Sequence, residues 1–193
     1  MKGAPIVTSL PSERSGQPSI PFVGLSEALV LAAVRSSGVP LQRVRPALEV
    51  LSRDLGIQHA LASHRLYSDG AEVLFDYAET SSDPDAPLVR QLVVVRNQQR
   101  VFSDTVEQYL RLIDYAEDGY ARLVRLPGYR YADVVADPER SFGQPIFSRG
   151  GARVADVLER FWAGDDLDTL VEEFGVPRAE LEDVVRVASR PAA

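Results

Sequence analysis

The chain has 193 residues, 45% of them hydrophobic, a net charge of −7 and no cysteine. That composition buries a core and so excludes wholesale disorder. The missing cysteines exclude disulfides, cysteine–zinc sites and thiol catalysis. With no apolar run near about 18 residues and no basic-then-apolar leader, the expectation is a cytoplasmic protein of one large or two small domains, with no membrane partner.

The charge is unevenly spread. Residues 1–130 hold 14 Lys/Arg against 15 Asp/Glu, and residues 131–193 hold 7 against 13. Between 35 and 65 five arginines (Arg35, Arg43, Arg45, Arg53, Arg65) face only Glu49 and Asp54. Base gathers early and acid late, as expected of a chain with two different partners.

Residues 1–20, rich in proline, serine and glycine, read as a flexible tail. Ser26 and Glu27 would cap or charge the start of a first helix, whose apolar side is Leu25, Ala28, Leu29, Ala32 and Ala33. Gly38 stops it and Pro40 suits the opening of the next. Leu41, Val44, Leu48, Leu51 and Leu55 then give that second helix one buried face. Gln42, Arg43, Arg45, Glu49 and Arg53 lie off it. Pro46 removes a backbone bond to residue 42, so a kink or a tightened first turn is expected. Gly56 ends the helix.

Two short apolar runs around Ser68-Asp69-Gly70 predict a β-hairpin over 64–77, which directly after a helix-turn-helix would be a wing. Strands are predicted at 88–95 and 100–102, a helix over 104–115, and strands at 120–126 and 130–135. A loop and short strand run through 137–147. Three helices follow: 154–162, 167–174 with Asp166 as its cap, and 178–188. The fold class is α+β, mainly α: an N-terminal winged helix-turn-helix with a β-hairpin wing over 21–130, and a C-terminal three-helix helix-turn-helix domain with short β-strands over 131–190.

Gly-Val-Pro occurs at both helix-to-helix corners, residues 38–40 and 175–177. The helix after the first shows Gln42, Arg43 and Arg45 outward; the one after the second shows Arg178, Glu180, Glu182, Asp183 and Arg186. DNA affinity comes largely from Lys/Arg displacing counterions, so the first corner suits DNA and the second does not. Arginine bonds guanine and glutamine bonds adenine, which makes Gln42, Arg43 and Arg45 base readers; Arg35, Arg53, His64 and Arg65 complete the DNA-binding set. Phe142, Ile146, Phe147, Phe161 and Trp162 are the candidate dimer or partner interface. His59 and His64 lack further ligands and read as exposed or capping residues; Asp133, Asp137 and Glu139 read as loop caps. Tyr109, Tyr115 and Tyr120 read as packing residues. No phosphate loop, nucleophile elbow or metal-binding helix pair is present, so neither catalytic residue nor cofactor is expected.

Val135-Ala136-Asp137-Pro138, Phe142-Gly143-Gln144-Pro145-Ile146-Phe147, Gly151-Ala152-Arg153-Val154, Val157-Leu158, Phe161, Ala163-Gly164 and the closing helix pair resemble a small bacterial domain of antitoxin-like proteins encoded beside PIN-domain toxins. The stretch from Gly38 to Arg45 resembles the MerR-like winged domain of one VapB antitoxin group. Together these cover residues 22–188. The resemblance implies a VapB-type antitoxin of a type II toxin–antitoxin system, which neutralises a VapC-like PIN-domain ribonuclease and, as a homodimer, binds double-stranded operator DNA to repress its own operon. An orphan transcriptional regulator, or a protein–protein adaptor without a toxin partner, is the alternative.

Overall fold

In the structure, a computed structural model, residues 6–10, 20–56, 58–96 and 99–190 are described, with backbone only at Val44 and Ser52. Helix α1 (Phe22–Ser36) is buried on most sides, through Leu29, Val30, Leu31, Ala33 and Val34. Ser26 and Glu27, expected near its start, lie instead in its interior and are themselves buried. A buried carboxylate needs partners, and Glu27 finds them far away in sequence. The Thr8 amide donates to its Oε2 at 2.6 Å and Thr8 Oγ1 to its Oε1 at 3.1 Å, while His59 Nδ1 lies 3.1 Å from Oε1. Residues 6–10, expected to belong to a flexible tail, are therefore held against α1. Gly24 permits this, because a Cβ there would overlap the Thr8 carbonyl oxygen. The rest of that expected tail, except Ile20, lies outside the described residues.

Helix α2 (Leu41–Leu55) buries Leu48, Leu51 and Leu55 as its spacing requires and ends at Gly56 in the left-handed conformation. It runs through Pro46 as one helix. Helix α3 (His64–Thr80) occupies the span expected to be a hairpin wing. The correction has a physical cause. Leu66, Gly70 and Leu74 recur at helical steps and are buried. Gly70 serves close packing, not a turn: a Cβ there would lie 2.9 Å from Leu66 Cδ1 and 3.2 Å from Phe102 Cζ.

A short helix α4 (Ala86–Val89) leads into an antiparallel hairpin, β1 (Val93–Arg96) and β2 (Gln99–Phe102), which pairs Val93 with Phe102 and Arg96 with Gln99. The strand expected at 88–95 is thus shortened by helical backbone at its start. Arg100 ties β2 to α3: it bonds Glu72 and Asp76, and its guanidinium carbon sits 4.1 Å from the Phe75 ring centroid. Helix α5 (Asp104–Leu110) is shorter than expected and gives way to β3 (Ile113–Tyr115).

By internal contacts the chain divides into residues Met1–Ala121 and Arg122–Ala193. Strand β4 (Ala121–Arg125) begins at that boundary, and β4, β5 (Val134–Ala136) and β6 (Ile146–Phe147) are antiparallel in that order. Helices α6 (Val154–Ala163), α7 (Leu167–Phe174) and α8 (Arg178–Ala188) complete the second unit. Asp166 caps α7, accepting from the Thr169 amide at 2.8 Å. Val134, Phe147, Val154, Val157, Leu170, Val176, Leu181 and Val184 form the core. The architecture is α+β and mainly α.

Candidate nucleic-acid interface

The first corner is built by three residues. Gly38 is left-handed at φ 81°, Val39 is buried, and Pro40 is the extended residue before α2. The second corner repeats this: Gly175 at φ 64°, buried Val176, extended Pro177. In each, glycine turns the chain, valine pins the turn to the core, and proline sets the exit.

Beyond the first corner, Gln42, Arg43, Pro46, Glu49 and Arg53 are exposed along α2, Arg45 is half-buried, and Arg35 is exposed in the last turn of α1. Arg43 Nη1 lies 3.9 Å from Asp85 Oδ1, a loose and solvated pair. Arg53 is bonded to its neighbour Asp54 at 2.8 Å, which raises its pKa. Four of the seven residues expected to touch DNA, Arg35, Gln42, Arg43 and Arg45, therefore flank this corner, whereas Arg53 stands in the last turn of α2.

The other two sit elsewhere than on a wing. His64 is the first residue of α3, fixed by its amide bonding Gly119 O at 2.7 Å, and its ring stands edge-on to Tyr115 with centroids 5.2 Å apart. Arg65 Nη1 donates to the Leu55 carbonyl at 2.8 Å and its Nε to Asp69 at 3.3 Å, so it caps the end of α2. Past its first turn α3 exposes Glu72, Asp76 and Glu79 and suits phosphate poorly. Tyr115 is the packing residue expected, and burial pushes its phenol up to about 12.

The hairpin that does form in this unit is β1–β2, which packs against α3. Its outer residues Arg96 and Gln99 are exposed, with Arg96 bonded to Asp104 at 2.6 Å. The strands were legible in the sequence, from three valines facing Val101-Phe102 across a polar turn; the expected wing upstream obscured their place beside the helices.

In the second unit the acidic face of α8 is other than expected. Asp183 is buried and turned inward, accepting from the amides of Arg130, Tyr131 and Ala132 at 2.5, 2.6 and 3.1 Å. Burial pushes its carboxyl up. The amides of Tyr131 and Ala132, the Arg186 guanidinium and the Arg130 amide outweigh this and bring it down to about 2. Arg178 is taken by Asp168 and by Glu182, the latter at 2.9 Å. Ile146 and Phe147, expected at a partner interface, are fully buried in their own unit because β6 pairs with β5 over the core. Phe161 packs partly on that core, whereas Phe142 and Trp162 are exposed.

Among the described residues no helix is long and apolar enough to cross a membrane, and no group of three metal-ligating side chains gathers.

Residues 1–48 match a family model described as "Putative DNA-binding HTH domain", and residues 134–188 match "Protein of unknown function (DUF433)". The chain is 46% identical over 187 residues to "Putative antitoxin VapB45" of Mycobacterium tuberculosis, covering 96% of this chain and 78% of that protein. The crystal structure of Rv2018 from Mycobacterium tuberculosis superposes with a TM-score of 0.85 at 45% identity, over 94% of this chain and 85% of that one. The helix-turn-helix at the N-terminus and near-full-length identity to a VapB protein lead to one assignment: the chain belongs to the VapB antitoxin family.

Proposed function

We propose that this protein is the DNA-binding antitoxin of a toxin–antitoxin pair, which neutralises a VapC-like PIN-domain ribonuclease and, as a homodimer, represses its own operon. The first corner enters the major groove, with Gln42, Arg43 and Arg45 reading base edges and Arg35 and Arg53 on phosphates. His64 lies at the start of α3, where the helix N-terminus favours a phosphate. Arg65 supports the end of α2, and β1–β2 takes the place of the wing.

One observation carries the reading. Of two corners built alike, the first opens a helix with three arginines against two acids (Arg43, Arg45 and Arg53; Glu49 and Asp54), whereas the second opens one with two arginines against three acids, its exposed Arg178 and Arg186 both paired with carboxylates. The test is fluorescence anisotropy on the DNA upstream of the gene. Arg43→Ala should weaken binding by about 1–3 kcal/mol, and affinity should fall steeply with salt. Binding that survives Arg43→Ala with Arg45→Ala, or that ignores salt, overturns the site. Failure of the chain to co-purify with the product of the adjacent reading frame overturns the antitoxin role and leaves a regulator.

A further inference from the structure

Among the described residues, the most exposed large apolar side chain is Phe142, at 99%. Its backbone is left-handed (φ 55°, ψ 34°), and Ser141 before it is left-handed too (φ 48°). Two successive non-glycine residues persist there only where their surroundings over-determine them. Here they do. The Gly143 amide donates to the Asp137 and Arg140 carbonyls at 3.1 Å, and the Gln144 amide to the Ser141 carbonyl at 3.0 Å. Asp137, buried beneath, accepts from the Glu139 amide at 2.9 Å. The loop holds a strained backbone whose result is a phenyl ring standing in water.

Two residues further on, Gln144 and Pro145 rim an apolar cavity of about 280 Å³, completed by Tyr129, Val154, Ala155 and Leu158. A cavity of roughly 150 Å³ holds benzene, so this one admits a phenyl ring. Phe142 does not fill it. Along α6, Ala155, Leu158 and Trp162 follow at helical steps, so the cavity wall continues to a tryptophan that is 62% exposed. Covering Phe142 and Trp162 removes about 350 Å² of aromatic surface per chain. That is nearly half of the about 800 Å² that each side of a stable interface contributes.

We infer that Phe142 anchors a two-fold homodimer, each copy's ring seated in the other copy's cavity between Tyr129 and Leu158. This deepens the homodimer of the proposed function by naming its contact. A second copy is the occupant because projection and cavity lie side by side on one unit. A two-fold axis passing between them closes both contacts at once, which is the self-complementarity an isologous interface requires.

Sedimentation of the full chain without DNA tests it. Phe142→Ala removes the ring and Ala155→Trp fills the cavity. Both positions are exposed, so folding is not at stake. Each variant alone should dimerise at least tenfold more weakly than the natural chain. Mixed together they should form a heterodimer tighter than either homodimer, because one ring still meets one open cavity. A natural chain that is monomeric, a Phe142→Ala dimer within twofold of the natural one, or a mixture that behaves as an average overturns the inference. So does a Phe142→Ala chain that dimerises normally but no longer co-purifies with the product of the adjacent frame, since the ring would then belong to the toxin contact. Loss of DNA binding by Arg43→Ala with dimerisation intact bears on the DNA-binding site alone.

Discussion

Asp183→Asn is expected to destabilise the second unit by about 2–3 kcal/mol at neutral pH, most of it lost again in acid. The carboxylate is buried in α8 and accepts three backbone amides from residues 130–132, with Arg186 beside it. It titrates at about 2 in the folded chain. An unfolded aspartate titrates near 3.9, and each pH unit of difference is worth about 1.36 kcal/mol, which gives roughly 2.5 kcal/mol. Because the folded value is the lower one, this stability is present above about pH 5 and is lost as pH falls through about 2. At pH 3 about half of it should be gone.

Asparagine keeps the shape but loses the charge that outweighs desolvation, and its NH₂ can face the same amide donors. The variant therefore imitates the protonated state. Urea unfolding of both chains at pH 7, 5 and 3, followed by the fluorescence of Trp162, the sole tryptophan and a member of the same unit, reads the difference. The gap between natural chain and variant should shrink from pH 7 to pH 3. A gap under about 0.5 kcal/mol at pH 7, or one that does not change with pH, would refute the role given to the carboxylate.

Three further outcomes follow. Arg65→Ala should lower the stability of the first unit by about 0.5–1.5 kcal/mol, the worth of one hydrogen bond to the α2 terminus, in thermal melts where Arg43→Ala changes little. Gly24→Ala should displace residues 6–10 from α1 and strand the buried Glu27, which limited proteolysis near Thr8 detects as faster cleavage than in the natural chain. Pro46→Ala restores an amide to an exposed position inside α2 and should stabilise the first unit by about 1–3 kcal/mol; an unchanged or lowered melting temperature would mean the proline is accommodated without loss.

The elements legible in the sequence were those whose signals are local. Both corners, the Asp166 cap and the three closing helices follow from glycine, proline and aspartate within a few residues of the apolar repeat they bound. Helix α3 failed because the close approach of Phe102 requires glycine at position 70, and that glycine, after Ser68-Asp69, imitates a turn. The role of Glu27 was hidden because its partners are 19 and 32 residues away. Ile146 and Phe147 resembled interface residues because a two-residue strand is too short for alternation to reveal which side is buried. The outward placement of Gln42, Arg43 and Arg53 was legible because Leu48, Leu51 and Leu55 fix the opposite face of a long helix.

The two corners open helices of the same inner register and opposite outer charge. Shifting by the interval between Gly38 and Gly175 places Arg43 opposite Glu180, Arg45 opposite Glu182 and Ala47 opposite Val184. The inner register agrees, since Ala47 and Val184 are both buried, but the charge is reversed at two outer positions. An acid in the first turn is what the helix dipole favours. α8 has Glu180 there, whereas α2 has no acid in its first turn. Local stability is therefore sacrificed at the start of α2, as expected where another requirement governs the residues. Gln42→Glu tests this with almost no change in shape. The new carboxylate should stabilise the free protein by about 0.3–1 kcal/mol at low salt, a gain that fades as salt screens it. It should also weaken operator binding at least tenfold, by placing a negative charge against phosphates and removing an amide donor from the base edge. Urea melts and anisotropy on the same preparation read both effects. A variant that is destabilised at low salt, or that binds the operator as tightly as the natural chain, would show that the first turn of α2 is not where DNA is met.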